Sequence, residues 1–359
     1  MLPLAAVALC LLLLAFVGIY NLKRDSADGR LLMWKVTAQA IARTPLTGTG
    51  LGGFPVAYAA SQADYFNGGE ASEQEKRVAG CPEYAFNEYL QIGLEQGVVG
   101  LLLFLAWLGC LIRRGTRNGQ HGAVGGLVAL AVFALSSYPL QLPSFWVVLL
   151  LLGSICLVGE ERETEPVFSV RYPVMSKCWL GLMALGSVCL FVRQGPMYEA
   201  YQTWERLQML YHNKAYPSVV EDYRALHDRL RHKPEFLFEE AQCLSYTGAP
   251  ADAIGLLERA ERLSGDPMIG YMIAKNLQAT GHYAEAERKL LRAIQVLPER
   301  IYPYYLLAKL YAAPGFYQPD KLREAAQVVF KHKPKVENTA TREMREEIKK
   351  LIDKNKIHL

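Results

Sequence analysis

The chain has 359 residues, with 39 Lys+Arg against 35 Asp+Glu and a formal net charge of +4. So even a balance excludes a strongly basic, polyanion-binding protein and a chain kept unfolded by its own charge. Hydrophobic residues make up 51% and charged residues 21%, but the charge is unevenly placed: none falls at 122–159, and it is dense after Arg193. That distribution predicts a membrane part followed by a water-facing part. The seven cysteines lie mostly in apolar stretches and form no CxxC pair, so neither a disulfide framework nor a zinc site is indicated.

In chain order, the stretches 3–20, 96–112, 122–138, 144–159 and 178–192 approach the roughly 20 apolar residues that a spanning helix needs. No basic residue precedes the first stretch and no A-x-A-like cleavage site follows it, so it reads as a span and not a signal peptide. Pro139 and Pro143 bracket a tight turn that makes the third and fourth a helical hairpin, with a re-entrant hairpin as the alternative. Arg113, Arg114 and Arg117 crowd the end of the second span and place that loop in the cytoplasm. Alternation then puts 21–95, the turn at 138–143 and everything after Arg193 outside, which in a bacterium is the periplasm.

The segment 21–95 is too long for a mere connector. Leu31, Trp34, Ala38 and Ile41 recur at helical spacing and predict an amphipathic interfacial helix over 30–43, stopped by Thr44-Pro45. Gly48-Thr49-Gly50-Leu51-Gly52-Gly53-Phe54 follows. Its glycines allow the backbone to turn closely around an anionic group; the alternative is a tight turn between two membrane-proximal helices. It has no Walker lysine and no preceding strand, which sets it apart from nucleotide-binding loops. The polar run 61–80 predicts a mobile lid or a loop over a site. A last amphipathic helix is predicted from about Pro82-Glu83-Tyr84, merging with the second span.

The order Gly29-Arg30, Trp34, Pro45, Gly48, Gly50, Gly52, Phe54, Asn87-Glu88-Tyr89-Leu90-Gln91, Glu95-x-Gly97 and Gly100-Leu101 resembles the O-antigen ligase and O-antigen polymerase superfamily, from about residue 30 to the fifth span. The resemblance implies transfer of a glycan from an undecaprenyl-pyrophosphate carrier to a periplasmic acceptor, lipid A core or protein, without cofactor or metal. It implies that Arg30 binds the pyrophosphate and stabilises the leaving group, because a guanidinium makes paired bonds to phosphate oxygens. Snorkelling to lipid phosphates is the alternative for Arg30, and Arg43 reads as a surface charge. Gly50, Gly52 and Asn87 are expected to contact substrate, Asn87 by orienting the acceptor or else by capping a helix. Many members carry a histidine before the asparagine of this motif. Here that residue is Phe86, which accepts no proton, and Glu83, Glu88 and Tyr84 are the candidates for the base. The family has more spans than these five, so an N-terminally truncated form is expected.

After Gly195-Pro196 the sequence changes to charged, aromatic and apolar residues at helical spacing. Thr247-Gly248, Thr280-Gly281 and Pro314-Gly315 recur at intervals of 33 and 34 residues; Ala253 recurs as Ala286 and Ala260 as Ala293. With Pro234, Pro267 and Pro298 at repeat ends, this is the tetratricopeptide signature. Val219 and Leu226 mark an earlier, degenerate copy, three to four helix pairs are expected over 198–333, and 342–354 is the closing helix. Tyr271, Tyr302, Tyr304, Tyr305 and Tyr311 line a concave face or pack between helices.

The predicted fold is all-α: a polytopic membrane helix bundle over 1–193 with a periplasmic loop at 21–95, followed by an α-solenoid of tetratricopeptide repeats over 196–359. The expected location is the bacterial inner membrane, with the C-terminal domain in the periplasm. The repeats are expected to bind a protein partner, and no nucleic acid. The alternative function is a non-catalytic, membrane-anchored tetratricopeptide scaffold in envelope assembly.

Overall fold

The computed structural model describes residues 23–158, 173–332 and 338–357, and every regular element among them is helical. The expected first span, 3–20, lies outside the described residues. Helix α1 (Arg24–Ile41) starts earlier than the predicted 30 and buries Leu32, Met33, Val36, Thr37 and Ala40 along one stripe. Asp25 in its first turn complements the helix dipole.

The expected lid at 61–80 is corrected. It folds as α2 (Phe54–Asn67) and α3 (Glu73–Val78), joined by a short turn. A proline in the first turn starts α2, which buries Tyr58, Ala63 and Tyr65. Ser72 and Glu75 form a capping box that starts α3. Both helices are fastened to α1: Lys35 Nζ donates to Tyr65 Oη at 2.5 Å and to Glu75 Oε1 at 3.1 Å, and Tyr65 donates to Glu75 at 2.9 Å.

Helix α4 (Glu88–Arg117) starts later than the predicted 82–84, because Asn87 caps it and Phe86 before it sits at φ 50°. Its ladder breaks at Gly97 (φ 70°, ψ −177°), where the loop-side turns meet the apolar stretch. The hairpin expected next is present as α5 (His121–Phe133), a 3₁₀ turn at Pro139–Gln141, and α6 (Pro143–Leu157). Small residues bring its helices against α4: a Cβ on Gly115 would meet Cys156 Sγ at 2.6 Å, and one on Gly153 would meet Leu111 at 3.2 Å. Asn118 Nδ2 donates to the Cys156 carbonyl at 3.0 Å and ties one end of the hairpin to the end of α4.

Helix α7 (Pro173–Arg193) leads into α8 (Gly195–His212). Among the described residues, two helices are long and apolar enough to cross a membrane: Glu88–Arg117 and Cys178–His212. Leu180, Met183, Phe191 and Val192 on α7 are all more than half exposed, so this apolar rod has no protein cover in the described chain. Helices α5 and α6, at 13 and 15 residues, are shorter than a full crossing needs.

The remaining helices form consecutive packed pairs: α8 with α9 (Tyr216–Leu230), α10 (Pro234–Tyr246) with α11 (Pro250–Glu261), α12 (Pro267–Ala279) with α13 (Tyr283–Val296), and α14 (Ile301–Tyr311) with α15 (Pro319–Lys331). Helix α16 (Thr339–Asn355) packs on the last pair. Prolines in the first turn start six of these helices, α8 to α12 and α15. The turns after α10 and α12 close on Gly248 (φ 91°) and Gly281 (φ 82°). Ala253, Ala260 and Ala286 are fully buried where one helix crosses its partner.

The two halves share a seam. Gln62 of α2 is fully buried; its amide donates to the Val296 carbonyl at 2.8 Å and the Gly80 carbonyl at 3.1 Å, and accepts from the Tyr58 hydroxyl at 2.6 Å. Val296 and Leu297 join the apolar cluster of α1 and α2. Gly265 lies so close to the Pro55 carbonyl that a Cβ there would overlap it.

The attachment of α3 sets a pH dependence. Partial burial pushes the Glu75 carboxyl up, but the Ser72 amide, Lys35, Tyr65 and the Ser72 hydroxyl together hold it at about 2, against an ordinary 4.5. A depressed carboxylate contributes fully above its unfolded value and loses that contribution as pH falls toward the folded one. The protection of the α3 amides, taken relative to their intrinsic exchange at each pH, is therefore expected to fall between pH 4.5 and about 2, and Glu75→Gln should flatten this dependence.

Candidate functional site

The site is built from the first turns of α4. Trp34 Nε1 donates to the Ala85 carbonyl at 3.0 Å, and the Ala85 amide donates to Gln91 Oε1 at 2.9 Å. With both backbone groups of Ala85 held, Phe86 is turned into the left-handed region (φ 50°), a conformation that a non-glycine residue keeps only where its surroundings impose it. Asn87 follows, its Oδ1 accepting from the Leu90 amide at 3.1 Å.

The Phe86 ring stands edge-on to Tyr138 with centroids 4.9 Å apart, and Tyr138 stacks on Tyr84 at 5.2 Å. Arg30, exposed on α1, lays its guanidinium over Phe86 at 5.2 Å and donates through Nη1 to the Ser136 carbonyl at 3.3 Å. The result is a shelf of three aromatic rings with one arginine at its edge. A guanidinium carries five N–H donors, and among the described residues Arg30 directs one such bond to the protein. The rest of the fork can meet phosphate oxygens.

The other candidates divide. Glu83 is exposed beside the shelf and borders a large cavity. Glu88 is 1% exposed; its carboxylate accepts from the Leu140 amide at 2.6 Å and from Gln141 Nε2 at 3.0 Å, and it holds the hairpin turn. Asn87 spends its side-chain oxygen on the helix cap. Arg43 pairs with Asp64 at 2.8 Å.

The glycine loop curls around a carboxylate of its own chain. The backbone amides of Gly52 and Phe54 hydrogen-bond the Glu95 side chain, and Gln91 Nε2 donates to it at 3.2 Å. Main-chain bonds dock the loop on the α4 kink: Thr49 N to Leu94 O and Gly50 N to Glu95 O, both at 2.9 Å, and Val98 N to Pro45 O at 2.8 Å. Gly48 (φ 69°) and Gly97 (φ 70°) sit at this contact, where a Cβ on either would overlap the facing backbone. Gly50 (φ 93°) and Gly52 (φ 74°) shape the turn itself.

Residues 1–105 match the O-antigen ligase family. The match takes in the shelf residues Arg30, Tyr84 and Phe86, the glycine loop and the first turns of α4, and it supports that family for this part of the chain. No curated protein matches the chain. Among solved structures, the one titled "MamA RS-1 ArsTM double mutant" aligns with 44% of this chain and 96% of its own at 18% identity, with a TM-score of 0.33; likeness at that level carries no argument. Among the described residues no group of three or more His, Cys, Asp or Glu comes together to hold a metal ion.

Sequence reasoning did not reach Tyr138, Trp34 or Gln91 as parts of the site. A tyrosine directly before Pro139, at the tip of an apolar hairpin, was the available signal for the first. Trp34 and Gln91 belong to the ordered motif of the sequence, but their contacts with the Ala85 backbone, 51 and 6 residues away, are not readable from it.

Two substitutions test this construction. Gly97→Ala should destabilise the protein by more than about 2 kcal/mol, from the left-handed backbone and the overlap with Leu46. Glu88→Ala should cost about 1–3 kcal/mol by stranding the buried Leu140 amide. Thermal unfolding in detergent measures both.

Proposed function

We propose that this chain transfers a glycan from an undecaprenyl-pyrophosphate carrier to a hydroxyl acceptor at the outer face of the bacterial inner membrane, with Arg30 on the pyrophosphate. The family match over residues 1–105 carries the reading, and the exposed Arg30 fork on an aromatic shelf gives it a chemical centre. The acceptor oxygen attacks the anomeric carbon, the bond from that carbon to the pyrophosphate oxygen breaks, and undecaprenyl pyrophosphate leaves with the electron pair. Arg30 neutralises the charge that develops on the leaving group. The acceptor's proton passes to Glu83, the exposed carboxylate beside the shelf; Glu88, engaged with the hairpin turn, has a structural part. Gly50, Gly52 and Asn87 shape the site through the backbone and need not touch substrate.

The membrane arrangement belongs to the same proposal. Short though α5 and α6 are, the hairpin is bonded to α4 near both ends, at Asn118 and at Glu88, and on that ground we read it as crossing alongside α4 and not as a re-entrant turn. Leu46 (67% exposed) and Leu51 (80% exposed) on the glycine loop are apolar and uncovered, as are Val99 and Leu103 on α4, which suits a loop and a helix at the membrane interface. With 3–20 and α7 this gives five spans over 1–193, a periplasmic loop at 21–95 and a periplasmic tetratricopeptide solenoid over 196–359. Lipid A core and protein both remain open as acceptors. The scaffold alternative draws on Phe86, which offers no base where many relatives of the superfamily have histidine.

In cells that depend on this chain for glycan transfer, Arg30→Ala should lower transfer about 100-fold or more, with membrane insertion intact, and Arg30→Lys should fall between. Unchanged transfer in Arg30→Ala would remove the assignment. A reporter fused after Arg193 should be active only in the periplasm; cytoplasmic activity would overturn the topology.

A further inference from the structure

A large cavity lies where residues 81–83 and α2 face the ends of α8, α10, α12 and α14. Its volume is about 860 Å³, within the range of small-ligand sites. Four aromatic side chains, Tyr211, Phe238, Tyr271 and Tyr302, give it apolar faces, while Glu83, Glu235, Glu239 and Asp266 bring carboxylates. By charge its polar side chains are mostly acceptors, four carboxylates against one guanidinium, with hydroxyls at Ser264, Tyr211 and Tyr302 among them. It contains no Asn, Gln or Lys, and Pro82, Pro234 and Pro267 have no backbone N–H to offer. Arg300 and His212 are its basic side chains.

One group in this wall stands apart. Tyr271 is 4% exposed, and its hydroxyl has no hydrogen-bond partner among the described residues. The hydroxyls of the other buried tyrosines among the described residues are paired: Tyr58 with Gln62, Tyr65 with Glu75, Tyr211 with Gln242, Tyr223 with Glu239, Tyr305 with Glu347 and Tyr311 with Glu287. Buried polar groups are almost always satisfied, so the Tyr271 phenol, in the cavity wall, calls for a partner from a ligand.

We propose that this cavity binds a neutral saccharide. A sugar presents hydroxyls that both donate and accept, which a wall of carboxylates, hydroxyls and one guanidinium matches, and it presents C–H faces that pack on aromatic rings. A phosphorylated or carboxylated glycan would meet the carboxylates as like charge. The cavity also opens beside the transfer site: Glu83 borders it, and the adjacent Tyr84 stacks on Tyr138 of the shelf. That the bound sugar is the acceptor or the growing glycan rests on the transfer reading; the binding itself does not.

The full chain in lipid nanodiscs, probed by saturation-transfer NMR with neutral tetrasaccharides of glucose, galactose, mannose and N-acetylglucosamine, tests the proposal. At least one tetrasaccharide should receive saturation. Tyr271→Phe and Tyr302→Ala should each weaken its binding fivefold or more, while Tyr317→Ala, on an exposed residue outside the cavity, and Arg30→Ala should leave it unchanged. Tyr271→Phe removes a single hydroxyl, so its effect is read on folded protein, checked by circular dichroism. Binding of none of the four sugars, saturation of only a basic tetrapeptide run in parallel, or binding unmoved by both cavity variants would overturn it. Loss of transfer in Arg30→Ala with binding intact would leave both readings standing; binding without any Arg30 dependence of transfer would sink the transfer reading alone.

Discussion

Three buried polar side chains at the foot of α4, Glu88, Gln91 and Glu95, set the arrangement of everything around them. Their spacing, three and then four residues apart, stacks them on one face of the helix. Each one satisfies a different neighbouring segment: Glu88 the hairpin turn at Leu140 and Gln141, Gln91 the backbone of Ala85, and Glu95 the glycine loop. A buried carboxylate or amide left without partners is costly, so the three loops are constrained to arrive together. The aromatic shelf is the outward consequence. Tyr138 is delivered by the segment that Glu88 anchors, and Phe86 by the segment that Gln91 holds.

The same logic extends across the seam to the C-terminal helices. Gln62 meets three partners at once, one of them the Val296 carbonyl at the end of α13, and the apolar cluster of α1 and α2 continues into Val296 and Leu297. The helix pairs are thereby bound to the loop region and not merely tethered through α7. Part of the face where an outside partner was expected is taken up by the chain's own residues 55 and 79–83, which border the cavities there. What remains is a half-open cleft sized for a small ligand.

The elements legible in the sequence were those with a local cause. The amphipathic stripe of α1, the prolines that start the C-terminal helices, and the alanines recurring at buried crossings are all written in spacing and residue type. The lid at 61–80 was misread because its polarity is local while its fastening is remote: Lys35 and Tyr65 hold Glu75, and Val296 holds Gln62. The glycine loop is legible as a tight turn whose backbone could surround an anion, but the carboxylate it meets within the chain is Glu95, some 40 residues on in the sequence. Glu88 shows the limit most clearly. By residue type it is as good a base as Glu83, and only burial and two hydrogen bonds separate them.

The departure at Phe86 gains a physical meaning from this geometry. A histidine at that position would add a proton acceptor to the shelf; the phenyl ring instead offers Arg30 an aromatic face and Tyr138 an edge. A guanidinium resting on a ring is held in place without being neutralised, because a cation–π contact leaves its in-plane N–H groups free for oxygen ligands. A carboxylate partner would hold Arg30 equally well, but it would compete with a pyrophosphate for the same donors. An unneutralised arginine on an aromatic surface, beside a cavity whose wall carries more carboxylates than guanidinium groups, would separate the two halves of the proposed transfer site by charge: one side suited to an anionic carrier, the other to a neutral sugar.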